Sequence, residues 1–319
     1  MNTPRQARTR VFAALAVVCL FAALPLTTAA QSAPAKQQSP NGKIVFQSTQ
    51  GGDGFVNDIY VMDADGKRQT RLTDDPADDT NPVWSPDGSK IAFFSARRGN
   101  GYELYLMDAD GNNQRPLRAE SPVVPFGFVW SPDGTRVAYS DGDDVYVAEV
   151  AGTAAPVNVS VFKPAGSFDR EPDWSPDGGR LVVRNFTACG GCSDLHVVNA
   201  SDGGGRVALS TGPGFDSNPR WSPAGDLIAY EGDRGGRGIY VTAADGTGSE
   251  AKVSGADQSF GGPTWSPDGS RVAFTNSNDN GFIDVFVVNA DGSSRRADNY
   301  TKTRRADEFA YSWQKLPTQ

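Results

Sequence analysis

The segment Trp84-Ser-Pro-Asp-Gly88 decides the fold, because it recurs along the chain at a nearly constant spacing. The motif, or a variant with Ala in place of Asp, begins at five tryptophans, and a sixth tryptophan follows near the C-terminus. Consecutive members of this set lie 44 to 48 residues apart: Trp84, Trp130, Trp174, Trp221, Trp265 and Trp313. A fixed period of this length is typical of repeat architectures built from one supersecondary unit.

Each motif is followed by two short β-prone runs. After the first motif these runs cover residues 90–93 and 103–106, and the turn Asp108-Ala-Asp-Gly111 comes next. Asp-Gly between apolar runs is a strong hairpin signal, and no helical periodicity is sustained after residue 30. Four short strands in a unit of about 45 residues are typical of a β-propeller blade.

The two ends of the chain complete the count of repeats. Residues 39–61 form a repeat without its tryptophan strand, and the segment Phe309-Ala-Tyr-Ser-Trp313 supplies such a strand. The sequence therefore predicts an all-β fold, a six-bladed β-propeller of four-stranded antiparallel blades. The C-terminal strand is expected to join the N-terminal blade in a 1+3 closure, which protects the sheet edges. We expect the six tryptophans to pack between blades.

The N-terminus has the pattern of a secretory signal peptide. Arg5, Arg8 and Arg10 precede an apolar run over residues 11–26, and small residues at 28–30 follow. The apolar run is short for a membrane span. We expect a signal peptide over residues 1–30 cleaved near Ala30, a polar leader at 31–38, and one propeller domain over 39–319. The protein is then periplasmic or secreted, with no stable membrane span, and is expected to be monomeric.

Composition excludes several classes of function. The chain has 38 Asp and Glu against 30 Lys and Arg, a net charge of −8, which argues against a nucleic-acid partner. Its one histidine, His196, takes a position held by an aromatic residue in the other repeats. Ser-His-Asp triads and multi-histidine metal sites are therefore not expected. We predict no catalytic residue, no bound metal and no cofactor, and leave open a Ca²⁺ ion held by a ring of carboxylates in the channel.

Cys189 and Cys192 lie in a connection between two strands of one repeat. In an exported protein this spacing favours a disulfide that clips the loop. Thiol–disulfide exchange stays open as an alternative, although no thioredoxin-like context surrounds the pair.

The connection before each tryptophan varies between repeats, whereas the strands agree. In a propeller these connections lead from the outer strand of one blade to the inner strand of the next and surround one mouth of the channel. The position five residues before tryptophan is acidic in four of the six repeats. We predict an acidic mouth with aromatic patches that binds a ligand. Its candidate residues are Asp79, Thr80, Asn81, Phe126, Asp169, Arg170, Glu171, Asp216, Asn218, Phe260, Glu308 and Phe309. The alternative is that the aspartates cap turns and face solvent.

Three consecutive motifs resemble the TolB-like propeller repeats, also called PD40 or WD40-like repeats. They are Trp-Ser-Pro-Asp-Gly, then Lys/Arg-Ile-Ala-Phe, then Asp-Ile-Tyr-Val-Met-Asp-Ala-Asp-Gly, and the resemblance covers residues 39–313. It implies a six-bladed propeller. The wider group includes periplasmic scaffold proteins and the propeller portions of peptidases. TolB-like proteins carry a small α/β domain before the propeller, and we expect this domain to be absent here, because only the leader, residues 31–38, lies between the predicted signal peptide and the first repeat.

The predicted function is an exported, non-catalytic scaffold that holds a protein or peptide of the cell envelope or its surroundings at the channel mouth. An acidic mouth favours a basic or amine-bearing peptide. Two alternatives stay open. A carboxylate ring in the channel is the right chemistry for a Ca²⁺-dependent hydrolase or lyase. Exposed aromatic residues at the mouth would equally suit a carbohydrate-binding surface protein.

Overall fold

The structure is a computed structural model, and it describes most of the chain between residues 42 and 299. The described ranges are 42–50, 56–63, 66–99, 101–117, 127–152, 154–187, 191–210, 214–248, 250–254, 259–277, 283–293 and 298–299. They contain 23 β-strands and no helix. The predicted signal peptide and leader lie outside these ranges. No described element is a helix that is long and apolar enough to cross a membrane.

The strands form six antiparallel sheets, one of three strands and five of four, in which chain neighbours pair. The first sheet holds β1 (Lys43–Ser48), β2 (Asp58–Asp63) and β3 (Thr70–Arg71). The second holds β4 (Asp79–Trp84), β5 (Lys90–Ser95), β6 (Glu103–Asp108) and β7 (Arg115–Pro116). The third holds β8 (Phe128–Trp130), β9 (Arg136–Ser140), β10 (Val145–Glu149) and β11 (Val157–Asn158).

The remaining three sheets have the same order. The fourth holds β12 (Phe168–Trp174), β13 (Arg180–Phe186), β14 (Ser193–Asn199) and β15 (Val207–Ala208). The fifth holds β16 (Asp216–Trp221), β17 (Leu227–Gly232), β18 (Gly238–Ala243) and β19 (Ala251–Lys252). The sixth holds β20 (Ser259–Trp265), β21 (Arg271–Ser277), β22 (Ile283–Asn289) and β23 (Asp298–Asn299). The predicted all-β fold of four-stranded antiparallel sheets is confirmed. The strand predicted to close it, 309–313, lies outside the described residues.

The Ser-Pro-Asp-Gly motif forms the turn between the first two strands of a sheet. In the second sheet the Gly88 amide donates to the Ser85 carbonyl at 2.9 Å, and the Ser85 hydroxyl donates to Asp87 at 2.6 Å. Gly88 has a φ of 70°, a conformation that glycine adopts without strain. The local chemistry of the motif thus starts each hairpin.

The repeated tryptophans pack between adjacent sheets, as predicted. Trp130, for example, lies in one cluster with Phe94 and Leu104 of the preceding sheet. The described tryptophans are 5% to 8% exposed. Three of their indole N–H groups donate to a main-chain carbonyl of the preceding sheet, from Trp130 to Val83, Trp174 to Val129 and Trp265 to Arg220. Each of the described sheet boundaries therefore has its own apolar core, and Trp313 lies outside the described residues.

The first strand of several sheets contains a β-bulge. The pairing of β12 with β13 shifts register between Arg170 and Asp173, and corresponding shifts occur in β4, β16 and β20. The bulge residue has a φ of 52° at Asn81, Glu171 and Asn218. A proline follows each of them, and proline offers no N–H to the ladder.

Candidate functional site

The antiparallel order of each sheet brings the variable connections to one end. Asp79, at the start of β4, pairs with Ser95 at the end of β5, which pairs with Glu103 at the start of β6. Asp169 and Asp216 start β12 and β16 in the same way. We call the end of the sheets that carries these three aspartates the mouth face. The predicted site residues within the described ranges lie at this face or on the bulges next to it.

The three aspartates are buried and paired, which corrects the prediction of an acidic mouth. Asp79 and Asp169 are 0% exposed and Asp216 is 1% exposed. Their partners are arginines: Arg97 donates to Asp79 at 2.8 Å, and Arg234 bonds Asp216. Because burying a carboxylate is costly unless it is paired, each arginine neutralises a charge that the fold takes out of water.

The pair in the fourth sheet has the most regular geometry. Arg206 donates through its two terminal nitrogens to the two oxygens of Asp169, each at 2.8 Å. Asn185, which is 0% exposed, donates to the same carboxylate at 2.7 Å. A bidentate pair of this kind is strong and orients both side chains. The arginine is the more accessible member, with 10% of its side chain exposed against 0% for the aspartate.

Burial controls the protonation of the pair in the fifth sheet. Desolvation raises the pKa of Asp216 to about 6, against the opposing effects of Ser210 and Arg234. Arg234 also forms ion pairs with two other carboxylates, Asp194 at 2.5 Å and Glu250 at 3.9 Å. Burial also raises the pKa of Asp79. The mouth face therefore contains carboxylates that gain protons more readily than free aspartates.

The bulge residues link one sheet to the next. The Asn218 amide donates at 2.7 Å to a carboxylate oxygen of Glu171 in the preceding sheet, and Arg184 donates to the other oxygen at 2.8 Å. The Asn81 amide donates at 2.7 Å to the side chain of Gln47 in the first sheet. A left-handed φ at a residue other than glycine costs free energy and persists only where the surroundings hold it, often at functional sites.

An alternating stack of rings and guanidinium groups lies on the fourth sheet. Arg170 lies 5.9 Å from the ring centre of Phe168 and 5.1 Å from that of Phe186. Arg184 lies over the same Phe186 ring at 4.1 Å. We call these four side chains the Phe–Arg stack. Cation–π contacts fix the orientation of the long arginine side chains, so this part of the mouth face is preorganised.

His196 lies close to the Asp169–Arg206 pair. It pairs with Val183 across the sheet, whereas Tyr230 and Tyr240 stack at the corresponding place in the fifth sheet, with ring centres 5.6 Å apart. Burial and, to a smaller extent, the charge of Arg206 lower the pKa of His196 to about 4, while Asp169 opposes the shift. The imidazole is therefore neutral at pH 7. In the described part of the chain no group of three or more His, Cys, Asp or Glu side chains could hold a metal ion.

The structure describes some predicted residues and not others. Thr80 is half-buried and Asn81 exposed in β4, while Arg170, Glu171 and Asn218 are half-buried. Glu171 and Asn218 meet at the β12–β16 boundary, and Arg170 contacts Gly142 of the third sheet. Phe260 lies in β20. Three candidates lie outside the described residues: Phe126, Glu308 and Phe309. Binding at any of these positions stays a prediction. Cys192 is disulfide-bonded, and Cys189, its predicted partner, also lies outside the described residues.

Sequence reasoning missed the arginines and one apolar connection. Arg97 and Arg234 lie at the same repeat position, two residues after the second strand of their sheets, whereas Arg206 precedes the fourth strand of its sheet. The apolar connection holds Phe162 and Phe168, which are 63% and 41% exposed. The run Val161-Phe162 in an otherwise polar loop was the signal available in the sequence.

Repeated antiparallel sheets with a buried tryptophan at each boundary define a β-propeller repeat protein. The family described as "TolB beta propeller domain" (PD40) matches residues 26–101 and 100–312. The chain belongs to this family, as its resemblance to the TolB-like repeats predicted.

Several relatives and solved structures that resemble the chain are named TolB. The chain is 35% identical over 161 residues to the Tol-Pal system protein TolB of Bordetella pertussis, a match that covers 50% of this chain and 35% of that protein. TolB from Acinetobacter baumannii superposes with a TM-score of 0.52 at 18% identity, covering 76% of this chain and 61% of that one. A putative TolB from Agrobacterium tumefaciens gives 0.54 at 22% identity, covering 73% and 83%.

A peptidase has a comparable fold. The puromycin-hydrolyzing peptidase of Mycobacterium tuberculosis superposes with a TM-score of 0.62 at 16% identity, and the match covers 83% of this chain and 43% of that chain. Structural similarity at these identities shows the fold alone. The aligned region also spans only about a third of the length of the Bordetella relative.

Proposed function

We propose that this protein is an exported, non-catalytic scaffold of the cell envelope that binds a protein or peptide at the mouth face. The family and the Tol-Pal name of its relatives support an envelope role and a periplasmic location. The observation that carries the proposal is the construction of the mouth face. Buried ion pairs and stacked arginines hold its framework, while the connections on that framework differ in sequence from one sheet to the next.

Such a framework suits recognition. Binding residues are commonly placed on loops that a rigid scaffold positions, because little conformational entropy is then lost on association. The connection at residues 72–78 is acidic, whereas that at residues 161–168 is apolar and carries one lysine. One face of the molecule thus offers chemically different contact areas, which favours a macromolecular ligand over a single small one.

The proposal includes no reaction and no cofactor. Among the described residues, His196 is held neutral at pH 7, and the mouth aspartates are engaged with arginines. The Ca²⁺-dependent alternative would need carboxylates that leave their arginines. Thermal unfolding with 5 mM Ca²⁺ or with a chelator tests it: equal melting temperatures support the non-catalytic scaffold, and stabilisation by Ca²⁺ supports the alternative.

We further propose that the monomer closes as a six-bladed ring. Among the described strands β1 pairs only with β2, which leaves its other edge as the place for residues 309–313. A chain ending at residue 306 would then lose the sixth boundary tryptophan, and its melting temperature is expected to fall by several degrees. An unchanged melting temperature would contradict the closure.

Photo-crosslinking tests the binding face. A photoreactive amino acid replaces Thr80 on the mouth face, or Asp202, which is exposed in the hairpin between β14 and β15 at the opposite end of the sheets. Each purified variant is irradiated in an envelope extract of the source organism. The proposal expects a discrete protein adduct from position 80 and none from position 202. Adducts of equal yield from both positions, or from position 202 alone, would refute the assignment of the face.

A further inference from the structure

The connection between β11 and β12 exposes several apolar side chains. Val161 is 57% exposed, Phe162 63% and Phe168 41%. Among the described residues only two other large hydrophobic side chains are exposed, Val157 and Val207. A single exposed apolar side chain is ordinary, but a cluster of three within eight residues marks an interaction surface. We call residues 160–168 the ridge.

The ridge is held in place by its own hydrogen bonds. It consists of two successive turns, in which the Lys163 amide donates to Ser160 at 3.0 Å and the Ser167 amide donates to Pro164 at 3.2 Å. The Lys163 ammonium donates to the Asp143 carbonyl at 3.0 Å and pairs with Asp144. The main chain that carries the exposed rings is therefore held in place, which lowers the entropy cost of binding.

The ridge continues into the Phe–Arg stack. Phe168 is at once the last residue of the ridge and the outermost ring of the stack, where Arg170 lies 5.9 Å from it. Arg170 also donates to the Gly142 carbonyl at 2.7 Å, so the stack contacts the hairpin at residues 141–144. An apolar surface thus runs from the exposed ridge to a rigid wall of rings on the mouth face.

Charge around the ridge indicates what it binds. The hairpin places three carboxylates beside it, Asp141, Asp143 and Asp144, against two cations, Lys163 and Arg170. Asp143 is exposed, and the whole chain carries a net charge of −8. An acidic surface attracts a basic partner and repels anionic lipid headgroups.

We propose that the ridge docks a protein segment with an apolar side chain flanked by Lys or Arg. The apolar side chain packs against Val161, Phe162 and Phe168, and the cation lies beside Asp141 and Asp143. This inference rests on the proposed function, since it names the contact area and the chemistry of the partner. A basic peptide was expected at the mouth aspartates, but those are buried, and the ridge is where apolar exposure and accessible carboxylates coincide.

A peptide-display selection tests the proposal. A random 12-residue library is selected on the full-length protein, and binders are measured on three variants: Phe162→Ser, Asp143→Lys, and the control Val207→Ser in β15, outside the ridge. We expect enriched peptides of positive net charge with an aromatic or aliphatic residue. Phe162→Ser is expected to weaken them at least about tenfold, since it removes the apolar ring that the bound peptide would cover. Asp143→Lys should weaken them also, and the control should not.

Each other outcome has a defined meaning. Circular dichroism is expected to be unchanged in all three variants, because the altered side chains are exposed. Acidic or uncharged binders, or equal losses in Phe162→Ser and Val207→Ser, would overturn the proposal. Binding of the protein to vesicles of anionic lipid that Phe162→Ser abolishes would assign the ridge to a membrane instead. A protein adduct from position 80 that persists when Phe162→Ser is added would refute only the ridge, whereas the absence of any adduct from position 80 with Phe162 intact would refute the scaffold itself.

Discussion

Replacement of Asp169 by Asn tests how much one buried ion pair, Asp169 with Arg206, contributes to the free energy of unfolding. Asp169 is 0% exposed and accepts three hydrogen bonds, two from Arg206 and one from Asn185. Asparagine has the same shape but puts an N–H₂ group where one of these donors already points. Arg206, with a side chain only 10% exposed, then lacks its counter-charge.

The expected loss is large for a single isosteric change. Removing one partner of a buried pair costs about 3–5 kcal/mol, because the other charge stays buried and uncompensated. At about 2–4 °C for each kcal/mol in domains approaching this size, the melting temperature should fall by at least about 6 °C. Urea unfolding and differential scanning calorimetry measure the two quantities. Asp202→Asn, in an exposed hairpin, is the matched control and should change stability by less than about 0.5 kcal/mol.

The double variant Asp169→Asn/Arg206→Met decides the interpretation. If the cost comes from the stranded arginine, the double variant is more stable than Asp169→Asn alone, since an apolar replacement of the pair removes the uncompensated charge. A single-variant loss below about 1 kcal/mol, or a double variant whose loss equals the sum of the single losses, would refute the reasoning.

Other predictions concern pH and one hairpin. The pKa of Asp216 is raised to about 6, so the stability gained by its protonation in the folded state is present at pH 4 and lost as the pH rises through 6. Asp216→Asn should therefore flatten the dependence of the free energy of urea unfolding on pH over this range. The pKa of His196 is lowered to about 4, so its contribution to stability is present above pH 6.5 and lost on acidification. The His196→Phe variant should therefore lose less stability than the wild type between pH 6.5 and 4. An unchanged dependence of stability on pH would contradict the assignment. Gly203→Ala puts a Cβ 2.4 Å from the Val159 carbonyl oxygen, whereas Gly166→Ala, at a similar φ, meets nothing within 4 Å. Thermal unfolding should show the first variant to be the less stable by more than about 1 kcal/mol, and equal losses would contradict the clash.

The fold was predictable because its determinants are local. The turn at Ser85–Gly88 closes through contacts within four residues, and the tryptophan that precedes it packs by the same rule at every described boundary. The position of Asp169 was equally visible as a repeat feature. Its burial was not, because the neutralising Arg206 lies 37 residues later and has no counterpart in the other sheets. The acidic residues at this repeat position therefore predicted an acidic mouth, whereas pairing with distant arginines buries these carboxylates below the surface.

The left-handed residues were likewise beyond sequence reasoning. Asn81 and Asn218 precede proline, which restricts them to extended or turn conformations without choosing between the two. Glutamate at position 171 gives still less indication of a positive φ. The surrounding sheets impose the conformation, since the Asn218 amide needs an acceptor and Glu171 of the preceding sheet supplies it. Contacts of this kind depend on how two repeats are placed against each other.

The bond from the Asn218 amide to Glu171 has a mechanical consequence. It joins the edge strands β12 and β16 through one glutamate side chain, whose other carboxylate oxygen accepts a hydrogen bond from Arg184. The corresponding bond at Asn81 uses glutamine, a side chain of the same length. Shortening Glu171 by one methylene to aspartate would either break the bond or draw the two strands together. The length of one side chain thus sets the spacing of these two strands, and a ligand that entered between them would first have to replace the acceptor of the Asn218 amide.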